Sequence, residues 1–155
     1  MDYINYLRSM VGHEKVIMVA VGAMVFNEKE ELLLQLRSDS RSWGIPGGFM
    51  ELNESVRETA KREVFEETGI TMGELSLFGI YSGPSRDKTF SNGDQAALVE
   101  VFFKCTDYSG KFIEQNEETL ENRFFPLTDL PDNLFIEHLP VINDLLSEKK
   151  IPVVG

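Results

Sequence analysis

Gly47–Ile70 reads GGFMELNESVRETAKREVFEETGI, and this stretch decides the fold. Ser55 to Thr68 contains neither Gly nor Pro and is rich in helix formers, which predicts a helix. Ser55 and Glu58 have the spacing of a capping box, and Gly69 stands where a left-handed C-cap favours glycine. At about 100° per residue, Glu63, Glu66 and Glu67 share one face with Arg62 beside them. Ala60 and Val64 lie on the adjoining flank and are free to face a core. Carboxylates gathered in this way repel each other by about a few tenths of a kcal/mol per pair. A divalent cation reverses that repulsion, and all-oxygen ligands suit Mg²⁺ or Mn²⁺. The other reading is a solvated acidic face. Gly47 and Gly48 allow backbone to come close to the same cation or its ligands.

Upstream, residues 2–10 have Ile4, Leu7 and Met10 at helical spacing, and Gly12 breaks the pattern. Residues 1–12 thus form an N-terminal helical extension that packs on the domain or on a second copy. Residues 15–26 are nearly all apolar and predict a buried strand. Residues 31–37, beyond a polar turn, predict its hairpin partner. Trp43 is expected under the glycine loop. Downstream, strands are predicted at 73–82, 95–105 and 123–127, and a helix at 134–148 with a break at Pro140. Between them runs a long loop, Gly83–Asp94, with Arg86 and Lys88. These two are surface charges, or they recognise a phosphate or a terminal group. Tyr81 and Phe49 are core aromatics or stack on a base. His13 and His138 have no partner at metal-ligand spacing and are read as packed or surface residues.

A length of 155 residues suits one domain, and 42% hydrophobic residues suffice for one core. The formal charge of −11 leaves no basic stripe for a nucleic-acid polymer. A small anionic substrate remains compatible if metals supply positive charge. The lone Cys105 cannot close an internal disulfide, which predicts a reducing, cytoplasmic setting. No stretch reads as a membrane span or a signal peptide.

In full, Gly48-x5-Glu54-x7-Arg62-Glu63-Val64-x-Glu66-Glu67-x-Gly69-Ile70 fixes seven residue types and two aliphatic positions. It resembles the Nudix box, the signature of the Nudix hydrolases, whose members include MutT-like and ADP-ribose-pyrophosphatase-like enzymes. The resemblance implies an α/β/α sandwich with a mixed central sheet, the box helix on one face and the C-terminal helix on the other. It implies metal-dependent hydrolysis of a nucleoside diphosphate linked to another moiety, with Mg²⁺ or Mn²⁺ as cofactor. Glu63, Glu66, Glu67 and the Gly47 carbonyl become metal ligands, and Arg62 holds the glutamates in place. Glu54 supports the ligands from behind or is structural, and Glu51 is open between the same two roles. Arg37 contacts a substrate phosphate or is a surface arginine. Gly48, Phe49, Tyr81 and Arg86 join it as candidates for substrate contact. The general base is a box glutamate, Glu66 or Glu67, or a later acid, for which Glu118 has the best spacing and Glu117 the next. Asn53 stands where many members have glycine, and asparagine tolerates the left-handed region. ADP-ribose-like substrates and nucleoside triphosphates remain open. A non-catalytic Nudix-fold nucleotide sensor is the competing reading. The N-terminal helix and an outward Phe65 leave a homodimer open.

Overall fold

The computed structural model describes residues 2–113 and 115–155. Strand β1 (Val16–Val25) is the spine, because its apolar run is long enough to be covered on both faces. It pairs in parallel with β8 (Gln95–Cys105) along its whole length, and antiparallel with the short β4 (Gly47–Phe49) on its other edge. Strand β6 (Ser76–Tyr81) adds antiparallel to β8, and β11 (Val153–Val154) adds parallel to β6. The central sheet is therefore mixed.

The expected hairpin does not form. Strand β2 (Leu32–Arg37) packs on β1 through its side chains, but among the described residues an isolated Phe26–Leu32 bridge just beyond β1 is all the ladder the two segments share. Both edges of β1 are already taken by β4 and β8, so β2 enters a second sheet between β3 (Trp43–Gly44) and β10 (Thr119–Phe125). The polar first half of β10 hides it in the sequence, where the strand was expected to begin at residue 123. Strand β5 (Thr71–Met72) pairs with β9 (Tyr108–Ser109) beyond the box helix.

Alternate residues of β1 and β8 serve two cores. Val21, Ala23, Val25, Val101 and Phe103 pack with Ala60 and Val64 of helix α2 (Val56–Thr68). Met24 and Phe102 point the other way and pack with Val141 and Ile142 of helix α3 (Leu139–Leu146). The box helix and the C-terminal helix thus cover opposite faces. Pro140 lies in the first turn of α3, where its missing N–H costs nothing, and a 3-10 turn at Ile136–His138 precedes the helix. The expected mid-helix break is thereby moved to the helix start.

Residues 83–94 are not an open loop. A 3-10 turn at Pro84–Arg86 leads into β7 (Asp87–Thr89), which pairs antiparallel with β8. Helix α1 (Tyr3–Val11) is capped by Asp2, whose side chain accepts the Asn5 N–H at 2.8 Å. It docks on its own domain through Ile4 and Leu7, against Met18, Ala96 and Leu98. Among the described residues no helix is long and apolar enough to cross a membrane.

Candidate active site

The site begins at the ends of α2. At its N-terminus Ser55 Oγ accepts the Glu58 N–H and Glu58 Oε1 accepts the Ser55 N–H, so the capping box is complete. At its C-terminus Gly69 adopts φ 82° and its N–H reaches the Phe65 carbonyl. Asn53 sits at φ 68°, in the left-handed region. These caps fix the rotation of the helix, which turns Glu63 and Glu67 toward the Gly47–Gly48 strand and leaves Phe65 outside, 56% exposed.

The two glycines are needed for close approach. A Cβ on Gly48 would lie 2.3 Å from the Glu63 carboxyl carbon, and one on Gly47 would lie 2.3 Å from the Val21 carbonyl oxygen. Arg62 organises the acids. Its Nε donates to Glu54 Oε2 at 2.6 Å and its Nη2 to Glu54 Oε1 at 3.0 Å. Its Nη1 donates to Glu63 Oε1 at 2.8 Å and reaches Glu66 Oε2 at 3.4 Å, and Nη2 also donates to the Phe49 carbonyl. This contact holds the Glu54 carboxyl at about 2, well below the usual carboxylate range.

Glu67 is only 5% exposed. The Gly47 N–H donates to its Oε2 at 3.2 Å, and the Gln35 side chain, held by the Thr119 hydroxyl, opposes the upward shift of its pKa. Burial, reinforced by the charge of Glu63, pushes the Glu67 carboxyl up to about 8. Glu63 is raised in the same direction, by burial first, against the opposing pull of Arg62. Glu118, on the loop before β10, adds its charge to both. That loop is tied down at several points. Asn116 Nδ2 donates to the Glu66 carbonyl, Asn116 Oδ1 accepts the Glu118 N–H, and the Ser38 N–H donates to the Glu118 carbonyl. Asn122 Nδ2 donates to the Glu67 carbonyl.

These acids stand at one side of a cavity of about 650 Å³. Its floor is a face of the central sheet, with Ala20, Gly22, Leu98, Glu100 and Phe102. Arg37, Glu51 and Phe49 also line it, as do Asp2 and Ile4 beside α1. Arg37 is held by Asp39 through Nε at 3.0 Å and Nη2 at 2.8 Å, and its guanidinium lies 4.1 Å from the centre of the Phe135 ring. Glu51 accepts the Tyr3 N–H at 2.7 Å and so joins α1 to the rim.

A cation site fits this arrangement. The donors are all oxygens, from carboxylates and the Gly47 carbonyl, the pocket at Gly48 is open for want of a side chain, and burial makes the negative charges costly until a cation balances them. Among the described residues no three acidic, imidazole or thiol groups already close on one point. Arg62 and the Gly47 N–H hold Glu63 and Glu67 meanwhile.

A NUDIX domain model matches residues 16–145. The chain belongs to the Nudix family. It is 32% identical over 133 residues to an ADP-ribose pyrophosphatase of Methanocaldococcus jannaschii, covering 84% of this chain and 74% of that protein. It is 33% identical over 101 residues to a MutT-like protein of Streptomyces ambofaciens, covering 65% of this chain but only 59% of that protein. Among solved structures, a Nudix hydrolase of Nitrosomonas europaea superposes with a TM-score of 0.72 at 25% identity, over 92% of this chain and 80% of the other. As a Nudix hydrolase the chain is a pyrophosphohydrolase of nucleoside diphosphates linked to other groups.

Two expected substrate contacts of this Nudix chain lie elsewhere. Tyr81 does not line the cavity. Its ring is in the core on the α3 side, edge-on to Phe102, and its hydroxyl donates to Asp144 at 2.8 Å. Arg86 is buried rather than exposed on a long loop: the pairing of β7 with β8 brings its guanidinium against Glu100, and it is not among the residues that line the cavity. Gln35, Asn116 and Asn122 went unnoticed in the sequence. They act across strands and loops, where no local spacing marks them. His138 was read as a packed or surface residue, and it is packed. Its Nδ1 accepts the Ile45 N–H at 2.9 Å, and burial, with the nearby cations Arg37, Arg86 and Lys88, lowers its pKa to about 3.

Proposed function

We propose that this Nudix hydrolase cleaves the diphosphate linkage of a small nucleotide, ADP-ribose or a nucleoside triphosphate, in the cytoplasm with Mg²⁺ or Mn²⁺ as cofactor. The observation that carries the reading is the buried Glu67 against Gly47, with Glu63 lodged where Gly48 lacks a side chain. Glu63, Glu66, Glu67 and the Gly47 carbonyl would hold the cation. When bound, it neutralises phosphate oxygens and lowers the pKa of a coordinated water. Arg62 keeps the acids in position by charge-assisted hydrogen bonds. Arg37 binds a phosphate oxygen, leaving Asp39 in part to do so. Glu118 faces the same space and takes the proton from the water that attacks phosphorus. The anhydride P–O bond breaks, and its electrons leave on the departing phosphate. Phe49 covers the nucleoside from the strand beside the glycines.

The test is product formation from ADP-ribose, oxidised and normal nucleoside triphosphates, diadenosine polyphosphates, NADH and sugar nucleotides. Each is run with Mg²⁺, with Mn²⁺ and with chelator. Cleavage of one class well above the rest, lost in chelator and lost in Glu67→Gln at an unchanged melting temperature, is expected. A folded protein that binds nucleotide with metal and never cleaves it would instead be a sensor.

A further inference from the structure

Glu100 has no place in the chemistry above, and the fold does not need it. It occupies the middle of β8, between Leu98 and Phe102 on the same face, and is 6% exposed. An apolar side chain there would complete the floor. A buried ion pair adds little net stability over apolar residues of the same size, so its partnership with Arg86 does not account for it.

The pair is lopsided. Arg86 Nε at 2.7 Å and Nη2 at 2.6 Å both fall on Glu100 Oε1. Arg86 Nη2 also donates to the Glu137 carbonyl, which fixes the guanidinium against the turn before α3. Among the described residues, Oε2 accepts no hydrogen bond, yet it is not one of the sealed orphan atoms, which are Arg8 Nε and Asn122 Oδ1. It therefore opens into the cavity that Glu100 lines. The other carboxylate on this side, Glu137, is engaged by Lys88 at 2.8 Å.

We propose that Glu100 is a specificity-determining residue, whose free Oε2 accepts a hydrogen bond from the exocyclic amino group of the substrate's nucleobase. The inference rests on the nucleotide reading of the cavity. An anionic oxygen repels the diphosphate, so this part of the floor takes the uncharged end of the substrate. Leu98 and Phe102 beside it, and Phe135, which packs on His138 next to Phe102, offer apolar surface to a flat ring. A carboxylate accepts only, so a base that presents a carbonyl oxygen in the same place meets two facing acceptors, while an amino base fills the bond.

Binding tests this apart from turnover. AMP and IMP differ by an amino-for-carbonyl exchange that also turns ring N1 from an acceptor into an N–H, as CMP and UMP do at N3, so the oxygen held at the amino position must be the one that discriminates; each is titrated calorimetrically into the full chain in chelator. AMP is expected to bind at least about tenfold more tightly than IMP, and the ratio to fall to about one in Glu100→Gln, whose amide also donates. If Glu100→Gln fails to fold, the double variant Arg86→Met/Glu100→Leu removes both partners together and is expected to lose the same preference. An equal affinity for AMP and IMP in the wild type, or a ratio unchanged in the variants, overturns the proposal. A preference for AMP over dAMP that follows Glu100, without one for AMP over IMP, also overturns it and assigns the oxygen to a ribose hydroxyl. Discrimination in binding with no cleavage of any substrate would leave Glu100 as assigned and remove the hydrolase reading instead.

Discussion

Arg62 grips Glu54 with two parallel donors, at 2.6 and 3.0 Å, while its third nitrogen reaches Glu63. One planar group therefore sets the position of an acid that lies outside the cavity wall and one that lines it. Lysine carries the charge but not the fork. Arg62→Lys is expected to lower kcat/KM by about tenfold to a hundredfold. A metal titration by calorimetry should show weaker binding in the same variant. Unchanged metal affinity would separate Arg62 from the placement of the acids.

Gly48 tests the cradle directly. In Gly48→Ala the new methyl takes the place of the Glu63 carboxyl group, which is the end of a flexible side chain and moves aside. The fold should survive with a small change in melting temperature. Turnover should fall by about a hundredfold or more, because displacement by about an ångström is enough. Near-normal turnover would show that Glu63 does not need its present position.

Glu118 and the box acids compete for the role of base. Glu118→Gln is expected to cut kcat by about 10²–10⁴-fold with little change in KM. A loss of only a few-fold would hand the role to Glu66 or Glu67. Asn116→Ala, which frees the loop from the Glu66 carbonyl and the Glu118 N–H, should give a smaller loss in the same direction.

His138 gives the protein an acid-side weakness. Its folded pKa of about 3 lies below the usual value of 6.5, so the unfolded chain binds the proton more readily. The stability this provides is complete above about pH 6.5 and is lost progressively as pH falls below it toward 3. His138→Asn keeps an acceptor for the Ile45 N–H and cannot be charged. Urea unfolding between pH 7 and 5 should show a shallower decline in the variant than in the wild type. Equal slopes would mean that His138 is solvated or paired in solution.

The parts of the fold that were legible in the sequence are those set by neighbours along the chain. Helix α2, its capping box, the left-handed Asn53 and Gly69, and the shared face of Glu63, Glu66 and Glu67 all depend on separations of a few residues. The spines β1 and β8 were legible for a similar reason, since unbroken apolar runs leave few alternatives. Partnerships across the chain were not. Nothing between residues 27 and 31 reveals that β4 and β8 occupy both edges of β1 and send β2 to another sheet. The three-residue β7 is polar, so its pairing with β8, and with it the burial of Arg86 against Glu100, had no periodic signal. Tyr81 looked available because an alternating strand leaves open which face meets the cavity and which the core.

The register of β1 on β8 also governs how the chain reaches this structure. Every partner lies 80 residues further on, from Ala96 beside Val16 to Cys105 beside Val25. Closing so long a loop comes before any reward from the pairing, which slows this step of folding. Until the β8 segment is present, β1 has no parallel partner on that edge. The box helix can coil in that interval, but the sheet it packs on is not yet there.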